Sequence, residues 1–309
     1  MTTASPPDPA HWSDASSWLA RARRSGSLRY SDLGERLLLR PSPVEELAAW
    51  LVDAVDDWWR SAGRPDPFTV VVDSGDDGSL ARRFLELGPE CLTCLRYVLV
   101  HPDPVPPAMA ALLGLEEPAY LFPVVAAGGE RAGSRGVLQG VGEGEDAEVA
   151  TGVGPLVTRV PGLPAVPGSV AVVALSTLSR LPSDRLDYRD GRWAEVRLTA
   201  TATADGGLVE VTSPLSAESR PPGIGDPAPG RYALLTGALA WLRDALSSDF
   251  EGVVAVVDDW SVATGPLTGD EVPPLALDQL ARVRPPARPL PEPVAGDLAV
   301  VTWSTKPLG

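Results

Sequence analysis

The chain has 309 residues, with 26 basic against 41 acidic side chains, a net charge of −15 and 44% apolar residues. That balance excludes a general nucleic-acid binder, which needs a basic face for phosphates, and leaves enough apolar matter for a core. Two cysteines are too few for a disulfide framework. The opening MTTASPPDPAHW has no basic segment ahead of an apolar one, and apolar runs such as 170-VAVVAL-175 are far short of a bilayer span, so the expectation is a soluble, cytoplasmic protein with no membrane span.

Residues 1–40 read as an N-terminal extension: residues 1–10 are polar and proline-rich, hence disordered, and 12–39 carry scattered helical signals and many arginines. Residues 41–309 read as a single domain. Its first helix covers 42–60, with Ser42 as N-cap, Pro43 in the first turn, Glu45 and Glu46 against the dipole, and Leu47, Trp50, Leu51, Ala54, Val55 and Trp58 at helical spacing. The adjacent Trp58 and Trp59 cannot both face one stripe, so one of them is a candidate for exposure. A strand follows at 68–72, a loop 73-DSGDDG-78, a helix at 79–87, a strand at 96–101, a short helix around Met109–Leu113 and a strand at 119–126. Residues 127–154 are rich in glycine and glutamate with no apolar period, and read as an insertion.

Further on, 169-SVAVVAL-175 is a buried strand, and 192-RWAEVRLTATA-202 alternates and can pair as a hairpin with 207-GLVEVTS-213. Residues 231–246 read as an amphipathic helix on Leu234, Leu235, Ala238, Leu239, Leu242 and Leu246. It is followed by strands at 253–259 and 298–303 and a short helix near 275–282. Continuously apolar strands alternating with helices predict an α/β domain with a mostly parallel sheet flanked by helices, and an inserted β-hairpin and loop region. In such a sheet ligands sit beyond the carboxyl ends of the strands, where the loop at 73–78 falls.

A glycine loop suits a ligand because the backbone can take positive φ and come close, with free N–H groups on the following helix. DSGDDG does not satisfy the GxGxxG fingerprint. Asp76 and Asp77 place negative side chains where bare backbone is wanted, and either can instead cap the helix beginning near Ser79. Cys91-Leu92-Thr93-Cys94 precedes a strand rather than opening a helix. With histidine only at 11 and 101, no metal set or Ser-His-Asp triad is in view, and the cysteines read as a buried structural pair.

Three segments, 65-PDPFTVVVDSGDDGSLARRFL-85, 154-GPLVTRVPGLPAVPGSVAVVALSTLSRLP-182 and 189-RDGRWAEVRL-198, together resemble the MidA-type S-adenosylmethionine-dependent methyltransferases, from about Pro41 to about Asp259. Leu181-Pro182 and Trp193-Ala194-Glu195-Val196 keep the family's frame. The resemblance implies a Rossmann-like class I methyltransferase fold. It also implies S-adenosylmethionine as cofactor and a role like that of relatives that methylate an arginine of a respiratory complex I subunit and assist its assembly.

The family's chemical residues are largely replaced. Its first motif is an acid, a spacer and Gly-x-Gly-x-Gly. One register makes Val72 the acid and puts Ser74 and Asp76 at the first two glycines. The other makes Asp73 the acid and Gly75 the first glycine, one residue short before Gly78. His101 stands where a ribose-holding acid is expected, and an imidazole cannot hold two hydroxyls as a carboxylate does. In 174-ALSTLSRLP-182, Leu175, Ser176 and Ser179 replace an Asn, a Glu and an Asp that would orient and deprotonate a guanidinium. The sequence 258-DDW-260 departs from an Asp-Tyr-Gly.

The resulting expectation is a degenerate methyltransferase-fold protein with no catalytic residues and a vestigial cofactor loop of Asp73, Ser74, Gly75, Asp76, Gly78 and His101. It would bind another protein, a respiratory-complex subunit or a paralogous methyltransferase. The alternatives are a divergent, active protein arginine methyltransferase using Asp73, Gly75 and Gly78, or a pocket for another small molecule.

Overall fold

The structure, a computed structural model, describes residues 17–33, 43–74, 78–100, 156–160, 163–164, 166, 168–201, 208–215, 227–247, 250–261, 263–267 and 274–305. In chain order the elements are α1 (Trp18–Ser25), β1 (Leu28–Arg29), α2 (Val44–Ser61), β2 (Phe68–Asp73), α3 (Ser79–Leu87), β3 (Leu95–Val100), β4 (Leu156–Val160) and β5 (Gly168–Leu175). They continue with β6 (Asp184–Arg189), β7 (Arg192–Ala200), β8 (Leu208–Pro214), β9 (Gly230–Leu234), α4 (Thr236–Ser247), β10 (Phe250–Ser261), β11 (Leu275–Ala276), α5 (Leu277–Leu280), β12 (Glu292–Ala295) and β13 (Leu298–Ser304).

The strands form two sheets. The larger runs β12-β13-β10-β5-β2-β3-β4, with β11 beside the end of β10. Strands β10, β5, β2, β3 and β4 are parallel neighbours, whereas β13 lies antiparallel to β10 and β12 antiparallel to β13. The central strands are apolar without interruption because both of their faces are covered. Phe68, Val70 and Val72 of β2 point into a cluster with Leu47, Leu51 and Val55 of α2 and Leu80 and Phe84 of α3. Val71 points the other way, into a cluster with Ala238 and Leu242 of α4 and Leu277 and Leu280 of α5. β5 alternates likewise: Val170, Val172 and Ala174 face α4, and Ala171, Val173 and Leu175 face α2 and α3.

The smaller sheet is antiparallel throughout: β8, β7, β6 and β9 in order, with β1 beside the second half of β7. The predicted hairpin of 192–202 with 207–213 is β7 with β8, but it belongs to a five-stranded sheet rather than to a lone insertion. The mostly parallel sheet predicted from the apolar runs therefore describes only part of the chain. Of the eleven strand pairings among the described residues five are parallel and six antiparallel, which makes the fold mixed α/β. The reason lies in β6, whose sequence DRLDYR looks too charged for an inner strand, yet Asp184, Arg185 and Asp187 are all buried. A two-residue turn at Asp190-Gly191, both at positive φ, joins it to β7.

Trp18 and Ala22 of α1, Leu28, and Tyr30 and Leu33 of a 3₁₀ turn pack with Val196 and Leu198 of β7, and the Trp18 indole donates to Leu33 O at 3.2 Å. Two further readings change. The helix expected over 231–246 begins only at Thr236, because residues 230–234 pair with β6 as β9; Leu234 is a strand residue. Pro43 stands at the N-cap of α2 rather than inside its first turn, and Ser42 lies outside the described residues. Trp58 and Trp59 are both half-buried: Trp58 meets Trp50 edge-on at 6.2 Å, and Trp59 donates to Pro65 O at 3.1 Å under the Arg64 guanidinium. Residues 102–126 and the 127–154 insertion lie outside the described residues.

Candidate functional site at the carboxyl edge of the larger sheet

Strands β2 and β5 end together, and β10 runs on past them to Ser261. Asp73 is in register with Ala174, and Leu175 with Val257. The segments that leave these strands therefore meet along one edge, the place where open parallel sheets carry their ligands.

After β2 come Asp73 and Ser74, and the chain re-enters the described residues at Gly78, which precedes α3 at φ +87°. Only glycine takes that left-handed conformation without strain, which accounts for the second glycine of the loop. Gly78 stands at the N-cap position of α3 with no side-chain cap, and its carbonyl accepts from Arg82 N at 3.1 Å. Gly75, Asp76 and His101 of the predicted cofactor set, and Asp77, lie outside the described residues. Asp73 is held from two sides. Its Oδ2 accepts a hydrogen bond from Trp241 Nε1 of α4 at 2.9 Å, and its backbone carbonyl accepts from Thr177 Oγ1 at 3.3 Å.

After β5 the chain turns sharply. Ser176 has φ +54° and donates its N–H to Val257 O at 2.8 Å, and residues Leu178–Arg180 form one 3₁₀ turn. Leu175, expected to stand at the reaction centre in place of an amide, is instead a core residue buried on the α2–α3 face. Ser179 is buried as well, and its N–H donates to Asp258 Oδ2 at 3.1 Å. Asp258 accepts a second backbone bond on Oδ1, from Asp259 N at 2.9 Å. It is 2% exposed, and burial pushes its carboxyl up to about 6 against the pull of those N–H donors. Asp258 is therefore a sealed group that knits β10 to the turn after β5, with no oxygen turned to solvent.

The two framing motifs are structural staples. Pro182 O accepts from Gly237 N at 2.7 Å and from Thr236 Oγ1 at 3.0 Å, which pins the start of α4 to the turn after β5. The approach is so close that a Cβ on Gly237 would lie 2.8 Å from both Leu181 Cβ and Pro182 O. Trp193 packs between Tyr188 and Tyr232, with ring centroids at 4.8 and 5.1 Å, and Glu195 pairs with Arg29 and Arg197, each at 3.2 Å. Trp241 was not singled out from the sequence, because no local pattern marks a donor whose acceptor is 168 residues away.

Cys91 is buried, and burial, with Asp56 next in effect, pushes its thiol up to about 12; burial also raises Cys94, whose Sγ donates to Cys91 O at 3.2 Å. A thiol held protonated is a poor nucleophile. At pH 8 the native protein is expected to leave Cys91 unmodified by iodoacetamide over hours, while both thiols react within minutes in denaturant. Peptide mapping of the alkylated protein checks this, and modification of native Cys91 at the denatured rate would refute it. Among the described residues no group of three or more His, Cys, Asp or Glu could hold a metal ion, and no helix is long and apolar enough to cross a membrane.

No family model matches the sequence, and no curated protein matches it. Solved structures do match. A COG1565 superfamily protein from Burkholderia thailandensis superposes with a TM-score of 0.51 at 17% identity, covering 79% of this chain and 60% of that one. A COG1565 superfamily member from the same organism, described as a candidate methyl transferase and bound to S-adenosyl-homocysteine, superposes with a TM-score of 0.52 at 18% identity, covering 79% and 61%. The chain thus spans about 60% of the length of the solved structures it matches. What it shares with them is a mixed α/β fold.

Proposed function

We propose that this chain is a MidA-type member of that fold group that has left methyl transfer and works in the cytoplasm by binding another protein, a respiratory-complex subunit or a paralogous methyltransferase. The parallel run β4-β3-β2-β5-β10, closed by antiparallel β13, supports a class I, Rossmann-like core. The observation that carries the loss of catalysis is the state of the carboxylates at the edge. Methylating a guanidinium needs a carboxylate facing it to orient the group and take its proton. Here Ser176 and Ser179 stand at the carboxylate positions, Asp258 is sealed in backbone hydrogen bonds, and Asp73 is engaged by Trp241.

A second reading is favoured by the S-adenosyl-homocysteine in one neighbour. On that reading the chain is a divergent S-adenosylmethionine-dependent protein arginine methyltransferase that holds its cofactor through Asp73, Gly75 and Gly78. Calorimetric titration of the full chain with S-adenosylmethionine, paired with transfer of labelled methyl to proteins of a cell extract, separates the two. The first reading expects no methyl incorporation above a heat-killed control. Micromolar binding together with a labelled protein band would replace it by the second.

A further inference from the structure

The last strand of a sheet offers unpaired N–H and C=O groups, and proteins blunt such edges with charge, proline, a bulge or a cover. β12, at one end of the larger sheet, carries Pro293 and a register shift between Pro293 and Ala295. On β9 of the smaller sheet, Arg231 O accepts from Leu267 N at 2.6 Å. β8 has no such device. It runs in unbroken register along β7, from Leu208 opposite Ala200 to Pro214 opposite Ala194, and among the described residues no strand pairs with its outer side. Val211, Thr212, Ser213 and Pro214 are exposed, Val211 by 39%, and the proline comes only at the end. Its one charge, Glu210, does not guard the edge. It is opposite Leu198, on the face that α1 covers, and it accepts from Tyr30 Oη and from Arg231 Nη1, the latter at 2.9 Å.

The other face carries charge in rows, because residues opposite one another in register share a face. Arg29, Arg197 and Val211 form one row, and Glu195 and Ser213 belong to the next. A two-fold pairing of two β8 strands sets one residue opposite itself. With Val211 on the axis, Arg197 would be in line with Arg197 of the other copy. With Ser213 there, Glu195 would be in line with Glu195. With Thr212 there, Val211 of each copy meets Ser213 of the other, so the Arg29–Arg197 row of one runs into the Glu195 row of the other. Glu210 then faces Pro214 rather than a second carboxylate. We propose that β8 is a homodimer interface: two copies of this chain join edge to edge and antiparallel, about a two-fold axis at Thr212, into one continuous sheet. Each copy carries a net charge of −15, but at about 0.15 M salt charges more than about 8 Å apart are largely screened, so the rows at the contact count for more than the bodies behind them.

The test is sedimentation velocity of the full chain over a series of micromolar concentrations, on wild type, V211K and L290K, with urea unfolding of each recorded alongside. Wild type is expected to dimerise. V211K puts a lysine on the edge and should weaken the dimer by at least about tenfold. L290K changes an equally exposed apolar residue away from the strand and should leave it unchanged. A second measurement does not depend on how V211K folds. Oxidation by copper–phenanthroline should turn T212C into a covalent dimer faster than V211C or S213C, while wild type, with only Cys91 and Cys94, gives none. A wild type that stays monomeric throughout, a dimer that folded V211K leaves intact, or cross-linking that favours V211C or S213C would each overturn the proposal.

Discussion

Alanine at position 252 is expected to abolish cooperative folding. Gly252 lies in β10 directly opposite Val170 of β5, at the centre of the larger sheet. A Cβ there would stand 1.8 Å from Val170 O and 2.8 Å from Val170 C. Both atoms are backbone, so no rotamer change relieves the clash. The strands would have to separate at the register that buries Val254, Ala255, Val256 and Val257 between the two helical faces. Overpacking at a side chain that can yield costs about 1–3 kcal/mol. Backbone against backbone leaves nothing to yield, and domains of this kind hold only about 5–15 kcal/mol in total. Gly252 also exchanges hydrogen bonds with Thr305, so its displacement loosens the end of β13 as well. Urea denaturation followed by far-ultraviolet circular dichroism checks the prediction, and a G252A protein that unfolds at the wild-type midpoint would contradict the close approach.

Replacing Asp258 by asparagine is expected to remove a pH dependence of stability between about pH 4 and pH 6. The folded carboxyl titrates at about 6 against 3.8 for the free side chain, so within that window the folded state keeps a proton that the unfolded chain has lost. Stability falls wherever the native state binds more protons and pH rises. The contribution of this group is therefore fully present below about pH 4 and gone by about pH 6 to 7. The span corresponds to roughly 3 kcal/mol. The exposed Glu90, lowered by Arg60, acts in the opposite direction, but it is common to both proteins and cancels in the difference. Urea midpoints measured at pH 4, 5, 6 and 7 should show wild type losing ground to D258N as pH rises. Parallel curves would mean that the carboxyl is not sealed.

The strands of the larger sheet were legible because each is an apolar run covered on both sides, as in Val70–Val72 and Val170–Leu175. β7 and β8 were legible from alternation. β6 was not, because the residues that make its charges tolerable are far off in the chain. The Arg185 guanidinium sits 4.6 Å over the ring of Tyr30, and Asp184 accepts from Ser31 N across 153 positions. Tyr30 in turn donates to Glu210, which also binds Arg231. No local window contains these partners, although Asp190-Gly191 was a hairpin signal open to reading. The same limit applies to the site. Asp73 could be placed at a strand end from its neighbours, but its engagement by α4 is a tertiary fact, and so is the withdrawal of Leu175 into the core.

The staple at Pro182 has a consequence for how such proteins diversify. Residues 183–235 leave the larger sheet and return to it beside Pro182, so β6, β7, β8 and β9 of the smaller sheet hang from their host by adjacent ends, while β1 joins them from the N-terminal side. A segment attached in that way can change at its outer strand β8 with little effect on the strands that carry it, whereas β6, β7 and β9 are also tied to Ser31, β1 and Gln279. Exchanging the whole segment therefore requires matching two neighbouring junctions and, beyond them, the residues of α1, β1 and the following turn that pair and pack with β6 and β7.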